Sequence, residues 1–377
     1  KPEYRGTFEL SIRSRSRPFY VAYGIKESLR TIRDLRFSRE DIDYLRTLDL
    51  FCPDFLKYLK NFSFSGDVWA IEEPEIVFAE EPIVRVTGTL MEAQILESIL
   101  LNIINLHTTL TTKALRIVLS AAGRSIYDFS LRRAQGEDAG IAASACSYVA
   151  GCAGTANVIA GMKYGIPVVG TMAHSFIQSF PDEIGSFRAF AEVFPDKTIL
   201  LIDTYSTDKG LEHAVTVAKE LKKIRHSLKG VRIDSGDLVQ EARTARAVLD
   251  MNGFVDTQVI VSGNLDEYAI QELTLAHAPI DGFGVGTHMG TSSDMPYCDV
   301  IYKLAEIETP CGTVKPVMKL SPGKTTMPYR KQVYRKVQKG MVHEDIICRE
   351  GEKCGGRPLL CQAIDAGALK VDVTDNL

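Results

Sequence analysis

Residues 199–263 read ILLIDTYSTDKGLEHAVTVAKELKKIRHSLKGVRIDSGDLVQEARTARAVLDMNGFVDTQVIVSG, and the rhythm of this stretch decides the fold. Three short runs, Ile199–Asp203, Val231–Asp234 and Val259–Ser262, are apolar and rich in β-branched residues or leucine. Between them lie Leu211–Ile224 and Leu238–Leu249, whose apolar positions recur at helical spacing. A strand returning parallel to its predecessor needs a crossover about one helix long, so alternation on this scale predicts parallel strands. The rhythm reaches outward to Ile126–Phe129 and Pro167–Val169 on one side, and to the helical stretch Glu267–Ala276 and Phe283–Val285 on the other. About six such strands predict an α/β fold in the form of a complete or irregular β/α barrel. A doubly wound open sheet is the alternative.

The flanks have a different texture. Phe8–Arg13 and Pro18–Tyr23 read as strands, as do Asp67–Ile71 and Pro82–Val86. Ser38 is the predicted N-cap of a helix with Asp41 at its third position, and Pro53 suits the first turn of another. Leu90 to about Leu119 reads as strongly helical. Past Cys298 the barrel rhythm stops, and Val300–Ile307 and Val314–Leu320 read as strands around a turn at Thr309-Pro310. The expected organisation is an N-terminal α/β domain over 1–115, a catalytic β/α barrel over 116–297, and a segment over 298–377 that returns to the N-terminal domain. The flanking mixed α/β domain is then built from both chain ends.

Composition narrows the function classes. The chain has 377 residues, of which 45% are hydrophobic and 24% charged, an ordinary globular balance. With 44 basic and 48 acidic side chains the formal net charge is -4, so nucleic acid is not the expected partner. The most apolar segment, Ile95–Leu106, is interrupted by Glu97, Ser98, Asn102 and Asn105, and falls short of the roughly 20 apolar residues that cross a bilayer. No secretory pattern opens the sequence, and the eight cysteines are irregularly spaced; a reducing, cytoplasmic setting is expected. The chain opens at Lys1 without a methionine, so further native sequence before it is expected. Cys311, Cys348, Cys354 and Cys361, near His343, lack the close C-x-x-C pairs of zinc sites and are expected as buried or half-buried thiols, with no metal.

Four motifs sit where predicted strands end, the place where barrels gather their chemistry. Asp128-Phe129-Ser130-Leu131-Arg132-Arg133 offers planar cationic forks for phosphate or carboxylate beside a flat aromatic face. Gly170-Thr171-Met172-Ala173-His174 supplies a histidine able to act as base, ligand or phosphoryl acceptor. In Arg232-Ile233-Asp234-Ser235-Gly236-Asp237, Asp234 is expected to face the site, and Asp237 to be at least partly a helix cap. Ser262-Gly263-Asn264 and Gly282-Phe283-Gly284-Val285-Gly286-Thr287 are glycine turns on successive strand ends, a pattern suited to holding phosphate. Each alone has an ordinary structural explanation: a solvated loop, a core histidine, a cap or a tight turn. Together they point to a barrel enzyme for a phosphorylated, sugar-containing substrate, without choosing between transferase, aldolase and isomerase. No lysine stands at these strand ends to form the Schiff base an aldolase needs.

The motif set, continued in Gly6-Thr7-Phe8-Glu9-Leu10, Leu201-Ile202-Asp203-Thr204-Tyr205 and Met318-Lys319-Leu320-Ser321, resembles the nicotinate phosphoribosyltransferase family in the family's order along most of the chain. The resemblance implies transfer of phosphoribosyl from phosphoribosyl pyrophosphate to nicotinate, coupled to ATP hydrolysis, with Mg²⁺ accompanying the polyphosphates and a homodimer as the assembly. It implies Phe129 as the stacking face for the pyridine ring. Arg232 and Thr171 would meet its carboxylate, Arg132 the pyrophosphate, and Asp234 with Ser235 the ribose or its metal. Ser262, Gly263, Gly284, Gly286 and Thr287 would cradle the 5′-phosphate. His174 matches the histidine phosphorylated from ATP, with Asp203 as a candidate orienting partner. Related nicotinamide enzymes carry an aspartate within a Gly-Thr-Asp-Thr segment. The similar segment here is Gly154-Thr155-Ala156-Asn157, and its missing carboxylate favours the acid over the amide. A nicotinamide or quinolinate enzyme of the same fold is the nearest alternative. The resemblance does not extend to the family's tyrosine-bearing N-terminal segment, for which Tyr4 is no match.

Overall fold

The computed structural model describes residues 4–321 and 325–374. The chain divides into two compact units, Leu110–Pro296 and the combination of Lys1–Thr109 with Tyr297–Asn376.

The first of these holds six parallel strands: Ser125–Asp128, Gly154–Thr155, Ile199–Leu201, Gly230–Ile233, Gln258–Ser262 and Gly282–Val285. Their spatial order is second, first, sixth, fifth, fourth, third. The sixth strand pairs with the first, Phe283 opposite Ile126. That cyclic order belongs to a barrel; a doubly wound sheet instead reverses direction at an internal switch point. The ring is incomplete. Val168 makes a single parallel bridge to Thr155, and no ladder among the described residues joins it to Ile199–Leu201. The expected strand Pro167–Val169 is therefore reduced to one bridge.

Burial explains why the barrel strands hold together. Ile126, Leu200, Val231, Ile233, Val259, Val261, Phe283 and Val285 are all buried. Around them the helices Thr207–Lys223, Leu238–Met251 and Glu267–Leu275 bury one stripe each, with Leu211, Leu221, Ala245, Leu249 and Ile270 in it. Burying a side chain of this size contributes about 1.5–3 kcal/mol. Asp237 and Asp266 start two of these helices by accepting backbone N–H groups, Asp237 from Val239 and Gln240, Asp266 from Tyr268 and Ala269.

The second unit is built from both chain ends. A seven-stranded antiparallel sheet runs Val314–Pro316, Val300–Glu308, Arg5–Ile12, Pro82–Thr89, Asp67–Ile71, Leu360–Asp365 and Ala368–Leu369. Two further small sheets pair Tyr20–Ala22 with Glu75–Val77, and Lys331–Gln338 with Met341–Arg349 and Arg357–Pro358. Ser38 and Asp41 form the predicted capping box.

The stretch read as strongly helical forms two helices, Leu90–Ile95 and Glu97–Ser120, with buried Leu96 between them. Two expectations need correction. The strand expected over Val314–Leu320 shortens to Val314–Pro316, all exposed. The C-terminal cysteines are not four buried or half-buried thiols: Cys348 and Cys354 form a disulfide, while Cys311 and Cys361 are exposed. Among the described residues no helix is long and apolar enough to cross a membrane.

Candidate functional site

The site grows from the C-terminal ends of the barrel strands, with Arg232 at its centre. Arg232 lies on the fourth strand with a side chain 14% exposed. Its Nε donates to Ser262 Oγ at 2.7 Å, Nη1 to Thr171 Oγ1 at 2.9 Å and Nη2 to Asp234 Oδ1 at 2.6 Å. The guanidinium carbon stands 5.5 Å from the centre of the Phe129 ring, within cation–π range. Four strand-end segments thus fix one cation over one aromatic face.

Asp234 takes a second short bond, from Ser262 Oγ at 2.5 Å. Burial alone would raise its pKa, but the Ser262 hydrogen bond and the charge of Arg232 outweigh burial and hold the carboxyl below its ordinary value. Its other oxygen faces His174 Nε2 at 3.8 Å. His174 opens the short helix His174–Gln178, and its side chain is 40% exposed.

The imidazole partner differs from the one expected. His174 Nδ1 lies 3.1 Å from Thr204 Oγ1. Asp203 instead accepts the backbone N–H of Asp234 at 2.9 Å and the hydroxyl of Ser235 at 2.6 Å, all through Oδ2. Its Oδ1 is buried without a hydrogen-bond partner. Asp203 therefore braces the turn that carries Asp234 and Ser235 rather than the ring of His174. Thr204 was legible only as the residue following Asp203 in the strand-end motif.

Two glycines are required by close approach. A Cβ on Gly284 would come within 2.3 Å of Phe129 Cε2, so a bare backbone there lets the ring lie flat. A Cβ on Gly263 would stand 2.2 Å from the Asp234 carbonyl oxygen, and its φ of +99° is a left-handed value. Gly286 precedes the helix Thr287–Thr291, and Thr287 is exposed at its start. Ser262, expected at the phosphate, is buried and spends its hydroxyl on Arg232 and Asp234. Arg132, on the 3₁₀ turn Leu131–Arg133, is exposed and has no side-chain partner among the described residues.

Sequence reasoning also passed over His288. Its Nε2 lies 3.0 Å from Asn264 Oδ1 and its Nδ1 2.5 Å from Ser293 Oγ. It thereby ties the turn after the fifth strand to the helix after the sixth.

An incomplete β/α barrel whose strand ends join a bridled arginine, an aromatic face, a half-exposed histidine and glycine turns is the framework of an enzyme for an anionic, ring-bearing substrate. Residues 1–105 match the profile described as the nicotinate phosphoribosyltransferase (NAPRTase) N-terminal domain, and residues 125–328 match that of the NAPRTase family. A nicotinate phosphoribosyltransferase of Mycobacterium tuberculosis is 41% identical over 351 residues, covering 93% of this chain and 74% of its own length. The Bacillus subtilis enzyme of that name is 38% identical, covering 91% of this chain and 70% of its own. The crystal structure of human nicotinic acid phosphoribosyltransferase superposes with a TM-score of 0.84 at 26% identity, over 98% of this chain and 87% of the human one. This chain belongs to the nicotinate phosphoribosyltransferase family.

Proposed function

We infer that the protein transfers the 5-phosphoribosyl group of phosphoribosyl pyrophosphate to nicotinate, giving nicotinate mononucleotide and pyrophosphate. Arg232 carries this reading. A guanidinium has five N–H donors, and three here are spent on Ser262, Thr171 and Asp234. One hydrogen is left on each terminal nitrogen, the pair that matches a carboxylate bidentately. Phe129 supplies the face for the pyridine ring beside that fork. Ala156, exposed just beyond the second barrel strand, brings no carboxylate to repel the acid.

The remaining groups suit the two charges that develop as pyrophosphate leaves, positive on the ribose and negative on the departing oxygen. The ionised Asp234, with Ser235 beside it, is assigned to the ribose; Arg132 to the pyrophosphate; and Gly263, Gly284, Gly286 and Thr287 to the 5′-phosphate. Ser262 acts in this scheme by holding Arg232 and Asp234 in place.

Mg²⁺ is assigned to the polyphosphate ligands, where it would neutralise charge on the leaving group. Among the described residues no group of three His, Cys, Asp or Glu side chains converges as a metal cage. Mg²⁺ commonly needs only one or two carboxylates when phosphates complete its shell. Asp203, with its unpartnered buried oxygen, and Asp234 fit that use.

ATP coupling is assigned to His174. In the tautomer whose Nδ1–H donates to Thr204, Nε2 keeps the lone pair that accepts a phosphoryl group, and 40% exposure gives ATP access. A cytoplasmic homodimer completes the reading, and light scattering of the purified chain measures the assembly. The test of function is pyrophosphate release from phosphoribosyl pyrophosphate and nicotinate, with and without ATP. Wild type should turn over and be stimulated by ATP, whereas His174→Ala should keep weak basal transfer and lose the stimulation. No release from the wild type would overturn the transferase reading. Stimulation surviving in His174→Ala would overturn the phosphoryl-acceptor role alone.

A further inference from the structure

Asp128, the last residue of the first barrel strand, has no part in the scheme above, yet it is a carboxylate only 1% exposed. A buried carboxylate persists where hydrogen bonds replace its hydration. Asp128 Oδ1 accepts the backbone N–H of Ser130 at 2.9 Å, and Oδ2 accepts the Thr155 hydroxyl at 2.7 Å. Thr155 Oγ1 also lies 3.1 Å from Ser144 Oγ, but it has a single proton, which the shorter, charge-assisted contact takes. The same Thr155 oxygen accepts the backbone N–H of Asn157 at 3.0 Å. The main-chain oxygen of Asp128 accepts the N–H of Ala156 at 2.8 Å. Next along the first strand, the Phe129 N–H donates to Val285 O at 2.8 Å.

One residue therefore joins the two segments that frame the pyridine side of the site. Ser130 follows Phe129 and caps the 3₁₀ turn that carries Arg132, while Thr155 and Asn157 bracket Ala156. We propose that Asp128 is a positioning residue for nicotinate: its buried carboxylate fixes the Phe129 face against the strand end carrying Ala156. This rests on the transferase reading. The phosphate turns at Gly263 and Gly286 receive no hydrogen bond from the Asp128 side chain, and its bond to Ser130 ends one residue before the 3₁₀ turn that carries Arg132, so its removal acts mainly on nicotinate. The local charge is felt by Cys152, whose thiol is pushed up by burial and then by the Asp128 carboxylate.

Steady-state kinetics with each substrate varied in turn test the proposal. Wild-type turnover of nicotinate with phosphoribosyl pyrophosphate tests the transferase reading separately. In Asp128→Ala the KM for nicotinate should rise about tenfold or more, the equivalent of one lost hydrogen bond to a charged group, while the KM for phosphoribosyl pyrophosphate stays within about twofold. Thr155→Val removes the hydroxyl that donates to Asp128 and accepts from the Asn157 N–H, and should shift the nicotinate KM in the same direction, so it carries the test even if Asp128→Ala does not fold. Asp128→Asn can still accept from Ser130 and donate to Thr155, and should recover most of the nicotinate affinity. Equal rises in both KM values, or an unchanged nicotinate KM in Thr155→Val, would overturn the positioning role.

Discussion

Two arginines, one in each unit, are held by carboxylates, and the difference between them separates a binding group from a structural one. Arg335, 2% exposed, is bonded to both oxygens of Asp345, to Glu75 Oε1 and to the Ile76 carbonyl. Four of its five donors are spent on two carboxylates and a carbonyl, and Asp345 first among its partners raises its pKa further. Arg232 meets one carboxylate and two hydroxyls, keeps two hydrogens unspent and lies at the rim of the barrel. Removing a fully paired buried ion chiefly costs stability, whereas removing a half-paired one at a cavity chiefly costs binding.

The largest effect expected from this contrast is in the structural network. Arg335→Ala leaves Asp345 without its arginine and Glu75 with Arg357 alone, and should cost about 3–5 kcal/mol in denaturant melts, with the nicotinate KM of the folded fraction unchanged. A selective rise in that KM would break the distinction between the two arginines. Next in size is Gly284→Ala, whose methyl group would meet the Phe129 ring at 2.3 Å. Overpacking of this kind costs about 1–3 kcal/mol, and here it should appear as a roughly tenfold weaker nicotinate KM. Gly284 is also assigned to the 5′-phosphate, so the phosphoribosyl pyrophosphate KM should rise with it; an unchanged nicotinate KM would place the ring elsewhere.

The smallest effect sharpens the structural side. Burial and the neighbouring Asp345 carboxylate push Glu81 up to about 8 from its ordinary 4.5. Between those values the folded chain holds a proton that the unfolded chain has released, so this group's contribution to stability falls as pH rises through the window and levels off above about 8. Glu81→Gln cannot release that proton. Its thermal midpoint should gain on the wild type as pH climbs from about 5 to 8; parallel curves would mean that Glu81 titrates normally.

The barrel was readable because its strands bury β-branched side chains on short runs and its helices carry one apolar stripe. The Lys331–Gln338 strand was invisible for the opposite reason. Lys331, Gln332 and Arg335 are buried there through ion pairs and hydrogen bonds, so a hydropathy pattern reads them as solvent-facing. The two-residue strand Gly154–Thr155 and the single bridge at Val168 are too short for any periodicity to register. In the site, Phe129, Thr171, Arg232 and Asp234 announced themselves as polar or aromatic residues at predicted strand ends. Thr204, Asp128 and His288 act through partners distant in sequence, and spacing along the chain carries no trace of those contacts.

The central claim is that the unspent fork of Arg232 recognises a carboxylate. Its most direct measurement is kcat/KM for nicotinate and for nicotinamide in the wild type and in Arg232→Gln. Nicotinate efficiency should fall on the order of a hundredfold, as expected when one member of a buried charged pair is removed, while nicotinamide changes little and the preference for the acid collapses. An equal fall for both substrates, with the preference intact, would contradict the account.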